Sequence, residues 1–297
     1  MNYWVIIIDG LVYSSWLFIV STGLTLIYGV MRILNLAHGS MYAIGAYTAA
    51  TIVGFYFNHN YPPLGSYIFF IFGSMIAGII SGVIIERGIL RIMYGKDEII
   101  MILVTYAVLL ILEDVIKLIW GVEGYFAYQP YTLLGRTKLF GISFTNYDLC
   151  LIVVAIIIGI ILWFWLNKTR FGRLLIAVIH DQEISMAMGI NVKKVYIITF
   201  AIGCMLGALA GGLTAPAISI VPGMGIQIII IAFAVVVIGG LGSIEGALVG
   251  SLLVGMARAF AVHLLPQIEL FVIYGVMALV LAVRPHGLFV KAKVRKI

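Results

Sequence analysis

Residues 148–166 read DLCLIVVAIIIGIILWFWL, nineteen positions with a single charge, at the first of them, and no proline. A helix rises 1.5 Å per residue, so about 20 apolar residues cross the ~30 Å hydrocarbon layer of a bilayer. A run apolar on every side has no face to offer water. Eight more such runs occupy 4–28, 38–57, 66–88, 98–120, 195–215, 226–240, 246–263 and 268–283. The runs at 226–240 and 268–283 are short for a full crossing. The first run is long and carries Ser14, Ser15, Ser21, Thr22 and Gly23, a place where a helix could break. With no water to bond free peptide groups in lipid, spanning segments this apolar must be helical. The expected fold is all-α: a polytopic membrane helix bundle of about nine transmembrane segments.

Composition agrees. The 297 residues are 63% hydrophobic and 10% charged, with a mean hydropathy of +1.18. Soluble domains carry roughly 25% charged residues, so the solvent for most of this chain is membrane lipid. The net charge of +6 comes from short basic clusters between apolar runs, a membrane-topology pattern and not a nucleic-acid face. Cys150 and Cys204 both lie in apolar stretches, which speaks against a disulfide scaffold or a metal site. Met1–Asp9 has no basic stretch before the first run, so that run is expected to stay as a helix.

Lysines and arginines orient the bundle. Nine crossings put Arg32; Arg87, Arg91 and Lys96; Lys168, Arg170, Arg173, Lys193 and Lys194; and Arg284, Lys291, Lys293, Arg295 and Lys296 on one side. Only Lys117, Arg136, Lys138 and Arg258 fall to the other side. Basic loops stay cytoplasmic, so the amino terminus is expected outside and the carboxyl terminus in the cytoplasm. The sequon at Asn167 then faces the cytoplasm and goes unused. A single domain over 1–297 is expected, with an outward loop at 121–147 and an inward loop at 167–194.

Two glycine tracks recur every four residues, Gly203, Gly207, Gly211 and Gly242, Gly246, Gly250, and read as helix-packing faces. The turn at Asn35–Ser40 and the turn at Gly239–Gly246 read as a weak internal repeat. Among ionisable residues near the outer helix ends, Glu113 and Lys117 have the spacing to pair, with Asp114, Arg258 and Glu269 also at an interface. Enzyme signatures are missing: the histidines are scattered, and no phosphate-binding glycine loop ending in Lys-Ser or Lys-Thr occurs. No ATP, other cofactor or metal is therefore expected on the chain itself.

The inward loop is the most informative feature. Nearly thirty residues between membrane helices need a reason. From Arg173 to Asn191 it reads as helical, amphipathic and ended by Gly189, with Asp181 and Glu183 at its centre. A helix lying on lipid would carry basic residues there. The acids favour a cytoplasmic protein partner.

Three stretches resemble the permease subunits of ABC importers for branched-chain amino acids: Gly23–Val30 through Asn35–Gly39; Ala177–Asp181, Ala187 and Gly189–Asn191 followed by Phe200–Gly203; and Gly239–Ile244 with Gly246-Ala247. Leu36 stands where the family commonly has Phe, and Glu245 where it often has Pro. The resemblance implies a prokaryotic plasma (inner) membrane location and a second, similar permease. It also implies two cytoplasmic ATPase subunits using ATP and Mg, an extracytoplasmic substrate-binding protein, and no covalent change to the small-molecule cargo. It assigns ATPase coupling to Asp181, Glu183, Ala187, Gly189, Ile190 and Asn191. Asn35, His38, Ser40 and Ser243, polar groups at helix starts, are candidates for the translocation pathway. Competing readings are a urea, amide or sugar permease of the same type, a passive channel or facilitator, and an intramembrane enzyme.

Overall fold

The structure, a computed structural model, describes residues 3–139, 141–285 and 287–289. His286 and the tail lysines and arginines at 291, 293, 295 and 296 lie outside the described residues. The elements are α1 Tyr3–Met31, α2 His38–Asn58, α3 Gly65–Ile85, a π-turn Glu86–Leu90 running into α4 Arg91–Met93, and α5 Glu98–Trp120. There follow α6 Gln129–Leu133, strands β1 Arg136–Leu139 and β2 Ile142–Thr145, α7 Asn146–Lys168, α8 Arg170–His180 and α9 Gln182–Ala187. The chain continues with α10 Val192–Thr214, α11 Met224–Gly239, α12 Ile244–Leu264, a 3-10 turn and α13 Glu269–Val283. All nine apolar runs are helices. Six of them are long and apolar enough to span a bilayer: α1, α3 with its extension, α5, α7, α10 and α12. Within the outward loop β1 and β2 form an antiparallel hairpin, an addition to the all-α expectation that Gly141 at φ +81° allows.

Despite its polar residues α1 is one unbroken helix. Ser14, Ser15 and Thr22 donate their hydroxyls to the carbonyls of Gly10, Leu11 and Phe18 at 2.6–2.7 Å, so these three are satisfied on their own helix, whereas the buried Ser21 and Thr25 hydroxyls have no partner.

Glycines set the helix contacts. Gly10 of α1 lies against Met256 of α12, and Gly255 of α12 against Gly10 and Ser14. Gly78 and Gly82 of α3 lie against Cys204 of α10. Gly23 and Gly203 mark the crossing of α1 and α10, where a Cβ on Gly23 would stand 2.6 Å from the Gly203 carbonyl oxygen. Gly225 of α11 meets Gly39 of α2, a Cβ on the former standing 2.9 Å from the Gly39 oxygen. So α1–α2–α3 and α10–α11–α12 share one packing plan. The first helix of each unit packs on the third of the other, the two first helices cross, and the two second helices meet. The contacts make α11 run with α1 and α10 with α2, so the repeat is inverted. This corrects the repeat read from sequence. The start of α2 corresponds to the start of α11 at Gly223–Gly225, whereas Gly239–Gly246 is the connection to α12.

Both second helices begin inside the bundle. Thr105 of α5 donates to the Leu34 carbonyl (3.0 Å) and accepts from the Leu36 N–H (3.3 Å), and Ser40 donates to the Leu109 carbonyl (3.4 Å). At 1.5 Å per residue those α5 positions are about 10 and 16 Å from its first residue. In the non-helical stretch before α11, Ala215 and Ile220 are buried while Ala217, Ile218, Ser219 and Val221 are exposed, and Ile220 pairs through two backbone bonds with Tyr125 of the 121–147 loop. That explains the short run at 226–240: α11 starts part-way through the bundle.

The track Gly203, Gly207, Gly211 lies along one buried face of α10, against Ile27, His38 and Tyr42 in turn. The other track is partly corrected. Gly242 is not helical but sits in the turn before α12 at φ +83°, against Gly29, because the helix starts only at Ile244. Gly246 and Gly250 face Gly239 and Val235 of α11.

A methyl group at Gly211 would collide with the Tyr42 carbonyl, whereas one at Gly54 of α2 meets nothing within 4 Å. Gly211→Ala is expected to cost about 1–3 kcal/mol from overpacking, and Gly54→Ala to stabilise by roughly 0.5–1 kcal/mol. Loss of helical circular dichroism on heating in detergent micelles measures both.

Candidate coupling and translocation sites

The inward loop folds as two helices, not one. Thr169 caps α8 by accepting the Gly172 N–H at 3.0 Å, and Phe171 stacks on Trp165. Leu175 and Val178 turn into the core. The helix stops at Asp181 (φ −153°, ψ 110°) because its side chain does something more favourable than continue the helix: it accepts the Ile184 N–H at 2.9 Å and caps α9. The expectation of one helix from Arg173 to Asn191 missed that cap. After α9 the chain reverses at Gly189 (φ +81°), and Asn191 caps α10 through Lys194 N–H at 3.0 Å.

Asp181 and Asn191 therefore hold the shape of the loop, and Ile190 packs partly against the core. Glu183, Ala187 and Gly189 are exposed. So are three apolar side chains, Ile184 (62%), Met186 (51%) and Met188 (78%), beside Glu183. Ile184 and Met188 are one helical turn apart, an apolar ridge with an acid at its edge.

The structure gathers Asn35, His38 and Ser40 at the start of α2 and leaves Ser243 apart. Ser243 is an N-cap for α12, accepting the Gly246 N–H at 3.0 Å and donating to Glu245 at 3.2 Å, so the extra acid is held in the turn it joins. His38 is fully buried between Gly23 and Gly207, its Nε2 donating to the Val20 carbonyl at 2.9 Å. Asn35 is 1% exposed and neither of its amide atoms has a partner. All four residues are buried in this conformation.

Glu113 was misread from sequence. It does not pair with Lys117, which bonds Asp114 at 3.1 Å on the exposed face of α5. Glu113 is buried, 4% exposed, and its Oε2 accepts the Gly223 N–H at 2.9 Å just before α11. The signal was present: Met101, Thr105, Leu109, Glu113 and Ile116 share the buried stripe of α5, with Asp114 on the other side. Arg258 and Glu269 do pair, at 2.6 Å, with the Arg258 guanidinium 4.0 Å from the Tyr13 ring centroid. Just after α4, Tyr94 donates to buried Glu86 at 2.6 Å and meets Tyr196 of α10 edge-on. Burial, then that carboxylate, pushes the Tyr94 hydroxyl well above its usual range. Both cysteines are free thiols, and among the described residues no group of three His, Cys, Asp or Glu side chains could hold a metal.

Inverted repeats, helices that begin inside the bundle and an exposed loop helix define a multi-pass, all-helical membrane transport protein. A family described as branched-chain amino acid transport system / permease component matches residues 6–281, and the chain belongs to that family. It is thus an inner-membrane permease component and not an enzyme. It is similar to the high-affinity branched-chain amino acid transport system permease protein BraD of Pseudomonas aeruginosa, 28% identical over 98% of this chain and 97% of BraD. It is also similar to the probable branched-chain amino acid transport permease protein LivH of Methanocaldococcus jannaschii, 30% identical over 95% of this chain and 91% of that one. Among solved structures, a chain of PsaBC from Streptococcus pneumoniae in complex with Fab aligns with a TM-score of 0.49 and 14% identity, covering 93% of this chain and 89% of that one, too distant a likeness to bear on the argument.

Replacing Asp181 with Ala removes the α9 cap, a loss of about 1 kcal/mol. Hydrogen exchange at residues 182–187 is expected to speed up severalfold, while Asp181→Asn, itself a good cap, leaves it unchanged.

Proposed function

We propose that this chain is the membrane-spanning subunit of an ATP-binding-cassette importer that carries branched-chain amino acids into the cytoplasm by alternating access. It pairs with a second, similar permease. Two cytoplasmic ATPase subunits, using ATP and Mg, drive the pair, and an extracytoplasmic binding protein delivers the cargo. The nine helices all cross, with the amino terminus outside and the carboxyl terminus in the cytoplasm.

One observation carries the coupling assignment. The α9 segment presents Ile184, Met186 and Met188 to solvent beside Glu183, on a loop braced by caps at Asp181 and Asn191. Exposed apolar ridges rimmed by charge mark contact surfaces. In this proposal Glu183, Ala187 and Gly189 touch the ATPase, the latter two being small enough for close approach. Asp181, Ile190 and Asn191 keep the contact segment rigid, so that ATPase closure moves α10 rather than bending the loop.

The complex is purified with its co-purifying subunits, and leucine, isoleucine and valine uptake is measured in proteoliposomes with ATP inside. Asp181→Ala with Glu183→Ala is expected to leave the protein inserted and ATP hydrolysed while uptake falls at least severalfold. Asp181→Asn with Glu183→Gln keeps the cap and removes both charges. An unimpaired second double variant would show that the acids act only through loop shape, and normal uptake by the first would remove the coupling role altogether. Orientation is read by labelling single cysteines with a membrane-impermeant maleimide: Lys194→Cys is expected to react only from the cytoplasmic side and Arg136→Cys only from outside.

A further inference from the structure

The start of α2 and the start of α11 abut at Gly39 and Gly225, so two helix amino-terminal ends meet inside the membrane. Each end carries about half a positive charge, and in lipid that charge needs a partner. The partner present is the Glu113 carboxylate of α5. Its Oε2 takes the Gly223 N–H at 2.9 Å, and its Oε1 lies against Gly225, where an added Cβ would stand 2.6 Å away. That Oε1 accepts no hydrogen bond. Tyr47 of α2, 0% exposed and within electrostatic reach of Glu113, has a hydroxyl without any partner. The start of α11 therefore offers a backbone donor and a positive helix end, with the unpartnered Tyr47 hydroxyl in the neighbourhood, a set that suits a carboxylate and repels an ammonium group.

We propose that this junction is a carboxylate-binding site, occupied in this conformation by the chain's own Glu113 and, at another stage of transport, by the α-carboxylate of the amino-acid cargo. The proposal rests on the importer reading above and names where the cargo's charge is received. Two neighbours make the exchange feasible. Lys117 lies one turn further along α5 with the acid preceding it, the favourable order for a pair on one helix. It now bonds Asp114, and it can accept Glu113 when that side chain swings out of the junction. On the outward side the Tyr47 ring packs on Trp120 and Tyr125, at 5.3 and 5.8 Å between ring centres. Those two residues belong to the 120–125 segment that borders an open surface hollow, so displacement of their two aromatic side chains uncovers Tyr47.

The test uses the assembled complex in proteoliposomes. Uptake of leucine by the unaltered complex checks the importer reading by itself, and its failure would leave the site unaddressed by that reading but not by the binding arm below. Glu113→Ala removes the internal carboxylate. Without added anion, uptake is expected to fall about tenfold or more, the loss of a buried charged hydrogen bond, and formate or acetate at millimolar concentration restores it severalfold without affecting the unaltered complex. Glu113→Ala uptake equal to the original, or reduced uptake indifferent to formate and acetate, overturns the proposal. Glu113→Gln, which keeps the shape, guards against a failure of the first variant to assemble. Radiolabelled leucine binding to that variant in detergent is expected to be displaced by 4-methylpentanoate, which keeps the carboxylate, and not by leucinamide, which lacks it. Equal displacement by both, or no binding, also overturns it.

Discussion

A buried peptide group in lipid must find its hydrogen bond within the protein, and in this chain the two places where the helical ladder is interrupted inside the bundle decide everything around them. Residues 32–37 and 215–223 are non-helical. An open loop at that depth is tolerated only when protein covers it. Here Thr105 and Ser40 tie the first stretch to α5, while Glu113 and Tyr125 tie the second to α5 and to the outward loop. The glycine contacts follow from the same need. Only by removing side chains at Gly23, Gly39, Gly203 and Gly225 do four helices come close enough to pack where the two interruptions end.

The inverted repeat gives this arrangement its mechanical sense. Two like units, packed first helix on third, place their interrupted elements face to face. A rocking of one unit against the other changes the geometry where they meet more than anywhere else. In the proposed importer the neighbouring α10 is also where force from an ATPase partner would arrive, because Asn191 caps it directly after the exposed α9 segment. Its glycine face then lies against His38 and Tyr42 of α2. The loop between α7 and α10, α10 itself and the start of α2 are thus one continuous packed path, a spatial continuity that becomes energetic coupling only if both ends bias the same movement.

The charges separate into two kinds. Arg258–Glu269 and Lys117–Asp114 are partly or largely exposed to the surroundings of the subunit, where pairs of this sort contribute little to stability in water and serve mainly to avoid isolated charge in lipid. Glu113 differs, since it faces inward and compensates the start of α11. Neighbours in sequence, Glu113 and Asp114 have different physics because one helical step of ~100° carries the chain from the buried stripe of α5 to its exposed face.

Apolar run length alone determined the class of protein, the existence of all nine main helices and the position of the exposed loop between α7 and α10, because lipid leaves a chain so few choices. The family motifs were readable for the same reason: turns bearing glycine and serine have narrow backbone requirements, visible as residue types at Asn35–Gly39 and Gly239–Gly246. What residue order could not convey was which turns face each other. The matching of α2 with α11 and the inward aim of Glu113 depend on contacts between segments 110 or more residues apart, and the cap that splits the loop at Asp181 and the non-helical place of Gly242 on one local hydrogen bond and a single backbone angle. Such features are settled by packing in three dimensions, where one shared hydrogen bond outweighs the local preference that a sequence displays.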